Sequence, residues 1–152
     1  MDIAVFLKSH LDEIVESACE AMERTHLQHY ERDGVLKTRE RISILMSLTT
    51  DCVAQRKLGP MIAHAEQIAR ERYNSGFDLW EVQTAFNVLE EGIWTRIFRN
   101  FPPTEYAEAL GLVSTVLGAG KDTLARKYVS LASKTHSQSL NLESLFSGVG
   151  DN

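Results

Sequence analysis

Glu20, Glu23, His26 and His29 follow one another in steps of three, two carboxylates and then two imidazoles, and these are the side chains best suited to hold a divalent metal. A helical-bundle di-metal centre takes a Glu-x-x-His motif from each of two helices and a further Glu from each of two others. The chain supplies one such motif, Glu23-x-x-His26. His64-Ala65-Glu66 cannot complete it, because residues two apart on a helix do not share a face. The cluster is therefore expected to be a solvated face in which acids and imidazoles screen one another, with Glu23 and His26 as weak metal candidates. His64, between Met61 and Ile68 at helical spacing, is the weak candidate for cofactor binding, through haem ligation in a helical fold. No resident cofactor or metal is expected.

Nucleophilic chemistry has still less to work with. Cys19 and Cys52 lie in apolar stripes without Cys-x-x-Cys spacing, so they read as free thiols acting as small hydrophobes in a reducing setting. Gly118-Ala119-Gly120-Lys121-Asp122-Thr123 lacks the spacing of a phosphate loop and has no strand before it, and there is no Gly-x-Ser-x-Gly and no His-Glu-x-x-His. Glu90 and Glu91 beside Trp94 read as adjacent acids on an exposed helix edge. The chain is expected not to be an enzyme.

The elements that would position these residues are helices. Apolar or small residues at Ile3, Leu7, Leu11, Ile14, Ala18, Met22 and Thr25 predict one long first helix from Asp2, its N-cap, to about Tyr30. Asp33 and Gly34 break it, and Thr38 caps a second helix running to Leu58 with Ile42, Leu45 and Cys52 inward. Gly59 followed by Pro60 pairs a stop with a start, giving a third helix to about Asn74 with Met61, Ala65, Ile68 and Ala69 inward. Gly76 then offers the positive φ that ends a helix, and Asp78 with Glu81 forms a capping box opening the fourth. That helix runs to about Arg99 and carries Leu79, Val82, Phe86, Leu89, Ile93 and Ile97, with Trp80, Trp94 and Phe98 on adjacent faces. Asn100-Phe101-Pro102-Pro103 stops it. A last helix runs from Thr104 to near Lys134, with Gly111, Gly118 and Gly120 in its interior marking close crossing or a kink.

Residues 1–134 are thus expected to form one all-α bundle of about five helices. Residues 135–152 form a flexible tail or a docking segment anchored by Leu140, Leu142, Leu145 and Phe146. At 152 residues the chain is long enough for one self-sufficient core. Its net charge of −5, with lysines and arginines scattered, excludes nucleic acid or an anionic membrane as the main partner. The start Met1-Asp2-Ile3-Ala4-Val5 has no basic leader and no apolar run approaches a membrane span, so a cytoplasmic location is expected.

The segment from Ala69 to Phe98 resembles the signature region of the RsbRD N-terminal domain family, the helical modules of RsbT co-antagonist proteins in bacterial stress signalling. Arg72, Gly76, Phe77, Asp78, Leu79, Glu81, Val82, Leu89 and Ile93 carry the resemblance, which extends more weakly from the first helix to Tyr128. It implies a bundle related to the non-haem, globin-like sensor domains of the stressosome, which are usually fused to a STAS or other output domain. With the sequence ending at Asn152, the module is expected to be free-standing and to pass its signal on by binding. Two tryptophans and four phenylalanines from Phe77 to Phe101 exceed what one helix face buries, so part of that surface is expected to meet a second copy. The residues expected at an interface or pocket are Trp80, Trp94, Phe77, Phe98, Arg72 and Glu81, with Arg72 pairing Glu81 or a neighbouring acid across the hairpin. A homodimer, a partner regulatory protein and a small ligand are the expected interactions.

Overall fold

The Asp2 carboxylate accepts the Val5 amide at 3.0 Å, satisfying one of the free donors in the first turn of α1, Ile3–Ser9, so the first helix opens where its spacing predicts. The computed structural model describes the backbone of residues 1–150 and the side chains of residues 1–135. Every regular element in that span is helical. After α1 come α2 Leu11–Thr25, α3 Gln28–Asp33, α4 Val35–Gln55, α5 Gly59–Asn74 and α6 Leu79–Asn100. A 3-10 turn at Pro103–Glu105 then leads into α7, Tyr106–Gly150.

The all-α expectation holds, but the described residues form seven α-helices and not about five. The difference lies in the first long helix, which is cut twice. At His10 the backbone leaves the helical region, and its ring bonds the Phe6 carbonyl at 2.9 Å while stacking on the Phe6 ring at 4.2 Å. At His26 the chain takes φ +51°, a left-handed C-cap for α2. Thr25, placed inward by its spacing, is exposed, and Leu27 is buried in its stead. α4 also begins earlier than expected. Gly34 at φ +93° precedes it, and Thr38 lies inside the helix, donating its hydroxyl to the Gly34 carbonyl at 3.2 Å.

The α5 to α6 turn follows the sequence closely. Gly76 adopts φ +87°, its amide reaches the Tyr73 carbonyl at 3.1 Å, and the Phe77 amide reaches the Arg72 carbonyl at 2.9 Å, the paired closure of a Schellman motif. Both halves of the capping box then form between Asp78 and Glu81.

α6 is the central rod. Val82, Ala85, Phe86, Leu89, Ile93 and Ile97 are buried along it, with α2 against one flank and α7 against the other, while α5 runs along α7. Gly120 of α7 sits where these helices cross. A Cβ there would lie 2.7 Å from Phe86 Cε2 and 3.0 Å from Met61 Sδ. Gly111 and Gly118 have nothing within 4 Å, so close crossing accounts for one glycine of the three. α7 continues past Lys134, where the apolar spacing placed its end, and the anchors Leu140, Leu142, Leu145 and Phe146 lie outside the residues whose side chains are described. Among the described residues no helix is long and apolar enough to cross a membrane.

Candidate functional site

Phe77 is the link between the Gly76 turn and the Asp78 cap, and it points into the bundle with only 4% of its surface exposed. Four helices grip it. Its ring centroid lies 5.2 Å from the Arg41 guanidinium carbon of α4, 5.5 Å from that of Arg32 of α3 and 5.7 Å from that of Arg72 of α5. The Tyr30 ring meets it edge-on at 5.2 Å, and the Tyr128 hydroxyl of α7 donates to its carbonyl at 3.1 Å. Guanidinium against an aromatic face is favourable by about 0.5–2 kcal/mol, more as water is excluded.

Three guanidiniums around one ring repel one another and need counter-charges. Asp33 accepts Arg32 Nε at 3.0 Å and Arg41 Nη2 at 2.7 Å. Burial pushes its carboxyl up, and the hydrogen bonds from Arg41 and Arg32 outweigh this and hold it below its ordinary value. Arg72 Nη1 has Glu71 at 3.4 Å, a long bond to a half-exposed carboxylate. Three charged donors are left over: Arg41 Nε, Arg41 Nη1 and Arg72 Nε are buried with no acceptor among the described residues. A buried donor left unmade costs about 1–3 kcal/mol, and more on a charged group.

Arg41 and Arg72 both line a cavity of about 210 Å³. His64 and Tyr30 complete its polar side, and Ile42, Leu45, Ile68, Val82, Ala85 and Phe86 supply the apolar wall. Burial lowers the pKa of His64, and the nearby Arg72 charge lowers it further, so the ring is neutral at neutral pH. An engineered cavity of about 150 Å³ holds benzene, so this one is sized for about eight non-hydrogen atoms, against about forty in a haem. The haem alternative at His64 gains no support from this geometry.

Arg72, expected to pair with Glu81 or a neighbouring acid across the hairpin, has its own-helix neighbour Glu71 at 3.4 Å, so Glu81, 1% exposed, holds the adjoining junction without it. It meets α3 instead. His29 Nδ1 lies 2.5 Å from Glu81 Oε1, the His29 amide donates to Oε2 at 3.1 Å, and the Asp78 amide donates to Oε1 at 3.0 Å. The physical reason is the Schellman turn, which sets Arg72 under Phe77 while the first turn of α6 faces the start of α3. Burial pushes the Glu81 carboxyl up, but the Asp78 and His29 amides and then the His29 ring together bring it below its ordinary value.

Glu20, Glu23 and His26 form the solvated face that their spacing predicts, and the break at His26 turns His29 away from them. Glu20 and Glu23 are exposed, His26 Nδ1 pairs with Glu31 at 2.7 Å in the open, and His29 belongs to Glu81. Among the described residues no three His, Cys, Asp or Glu side chains are placed to hold a metal. Of the aromatic residues expected at a contact surface, Phe77 is core, whereas Trp80, Trp94 and Phe98 are 58%, 39% and 49% exposed. Arg41 and Tyr30 were missed. The pattern did contain a sign of Arg41, because it stands three residues after Thr38 and four before Leu45, on the inward stripe of its own helix.

No family model, curated protein or solved structure matches the chain.

Proposed function

We propose that the protein is a non-enzymatic regulatory module that works by binding through the outward face of α6, first of all to a second copy of itself. The observation that carries this reading is the stripe formed by Trp80, Trp94 and Phe98. At about 100° per residue these three fall within about 40° of one another, and about 27 Å separates the first from the last. All three are exposed on a helix whose opposite face is the centre of the core. Large aromatic side chains left in water are the residues that most often carry interface energy, and those on this stripe are separated by Thr84, Asn87 and Glu91. Two copies of α6 crossing antiparallel would set Trp80 of each against the Trp94 and Phe98 end of the other, the self-complementary arrangement of a two-fold dimer.

Burial pushes the Cys19 and Cys52 thiols above their ordinary range, which works against a nucleophilic role and supports a binding role. The resemblance over Arg72 to Ile93 supports placing the module in bacterial stress signalling, in the cytoplasm, as a relative of globin-like non-haem sensor domains with a partner regulatory protein.

Light scattering over a concentration series tests the reading. The wild-type chain is expected to dimerise in the micromolar range, and Trp80→Ser with Trp94→Ser to weaken the dimer at least tenfold without loss of helix. A wild-type chain that remains strictly monomeric to about 1 mM, a bound free energy weaker than about 4 kcal/mol, would overturn the dimer.

A further inference from the structure

The geometry points to a binding site for a small organic monocarboxylate in the cavity between α4, α5 and α6, its carboxylate held by Arg41 and Arg72 and its carbon end laid against Ile68, Ala85 and Phe86. The site is separate from the α6 stripe, and neither reading rests on the other.

Chemistry, charge and size argue in the same direction. Two guanidiniums line one cavity, their side chains 14% and 12% exposed, and between them they hold three nitrogens with no acceptor among the described residues. Such donors are matched most strongly by an ionised oxygen, since charge-assisted hydrogen bonds are about twice as strong as neutral ones. The charge balance selects among anions. Arg41 is paired with Asp33 at 2.7 Å, Lys37 with Glu40 at 3.3 Å and Arg72 with Glu71 at 3.4 Å, so the site has donors to spare but little net positive charge. A single negative charge suits it, whereas a phosphate dianion would meet Glu40 and Glu71, both on the cavity wall, without enough cation to offset them. The remaining wall is hydrocarbon from α4, α5 and α6, which a bare inorganic ion would leave uncovered and a short carbon skeleton would fill. A volume of about 210 Å³ matches a branched C5 acid or a benzoate. His64, neutral and half-buried on the same wall, can donate one further hydrogen bond to the carboxylate.

Titration calorimetry of the full chain with benzoate and with 3-methylbutanoate, alongside benzamide and inorganic phosphate, tests the site, with the arginine Nε–H resonances followed by NMR. Saturable binding of at least one carboxylate is expected, at least tenfold tighter than benzamide and than phosphate, with the Nε–H signals of Arg41 and Arg72 moving on titration. Arg72→Gln is expected to weaken it at least tenfold, and Ala85→Leu to abolish it by filling the apolar end while keeping both charges. Should either variant fail to fold, the wild-type comparison of carboxylate with amide still decides the matter. No saturable binding of either carboxylate to about 10 mM would overturn the proposal, as would benzamide binding equally well or phosphate binding more tightly.

Discussion

Replacing Glu81 by alanine removes the one carboxylate that ties the start of α6 to α3, and the structure sets the size of the effect. The contact from His29 Nδ1 at 2.5 Å is charge-assisted and almost fully buried, a class worth about 1.5–3 kcal/mol. The Asp78 amide loses its half of the capping box, about 1 kcal/mol, and the His29 amide loses its acceptor at 3.1 Å, about another 1 kcal/mol. Together these give a destabilisation of about 4 kcal/mol, which for a chain of this length lowers Tm by about 8–16 °C. Urea unfolding followed by circular dichroism measures it, and His29→Ala alone and combined with Glu81→Ala closes a double-mutant cycle. The two single losses are expected to exceed the double by at least about 1 kcal/mol. A loss below about 1 kcal/mol for Glu81→Ala, or strict additivity in the cycle, would refute the account of this junction.

The same carboxylate predicts the acid limb of the stability curve. Its pKa in the folded chain is below the ordinary value, so between the two values the unfolded chain holds more protons than the folded one and stability rises with pH. The contribution is fully present above the ordinary carboxylate range and is lost as pH falls through the lowered folded value. Asp33, lowered in the same sense by Arg41 and Arg32, adds to that limb. In Glu81→Gln the acid limb should become shallower than in the wild-type chain, measured as unfolding free energy from pH 6 down to about pH 3.

Three further outcomes follow from the packing. Gly120→Ala is expected to destabilise by about 1–3 kcal/mol, because the new Cβ falls 2.7 Å from Phe86 Cε2 and 3.0 Å from Met61 Sδ. Gly118→Ala, with nothing within 4 Å, is expected to stabilise by up to about 1 kcal/mol, and paired urea curves of the two variants check both signs. Phe77→Ala is expected to lose about 3–5 kcal/mol through the cavity it leaves among Arg32, Arg41 and Arg72, read as a lowered midpoint in thermal unfolding.

What the sequence made legible was local and periodic. The α5 to α6 turn was readable almost atom by atom, because Gly76 and the Asp78 to Glu81 spacing carry their own geometry and need no neighbour to fix them. The buried faces of α5 and α6 were readable for the same reason, since Met61, Ala65, Ile68, Val82, Phe86 and Leu89 keep helical period throughout. The breaks at His10 and His26 were not. No glycine or proline marks either one, and the apolar stripe stays in step across the first, so a period-based reading runs straight through. That one miss also put His29 on the solvated face with Glu20, Glu23 and His26, since the four share a face only if the helix continues.

The arginine-lined cavity was hidden for a different reason. Arg41 and Arg72 are thirty-one positions apart on separate helices, and nothing local requires two guanidiniums to share a wall. What brings them together is Phe77, which the Gly76 turn drives inward and around which Arg32, Arg41 and Arg72 gather at 5.2–5.7 Å. A sequence reading sees Phe77 as an apolar residue in a loop and Arg41 as a charge on a helix. Only tertiary packing turns an arginine on an inward stripe from an apparent misfit into half of a donor pair. The general sign is the contradiction itself: a guanidinium at a position whose neighbours at three and four residues, Thr38 and Leu45, are buried must find either a counter-ion or a ligand. Asp33 takes one edge of Arg41, and the two donors it leaves are the reason to look for an anion there.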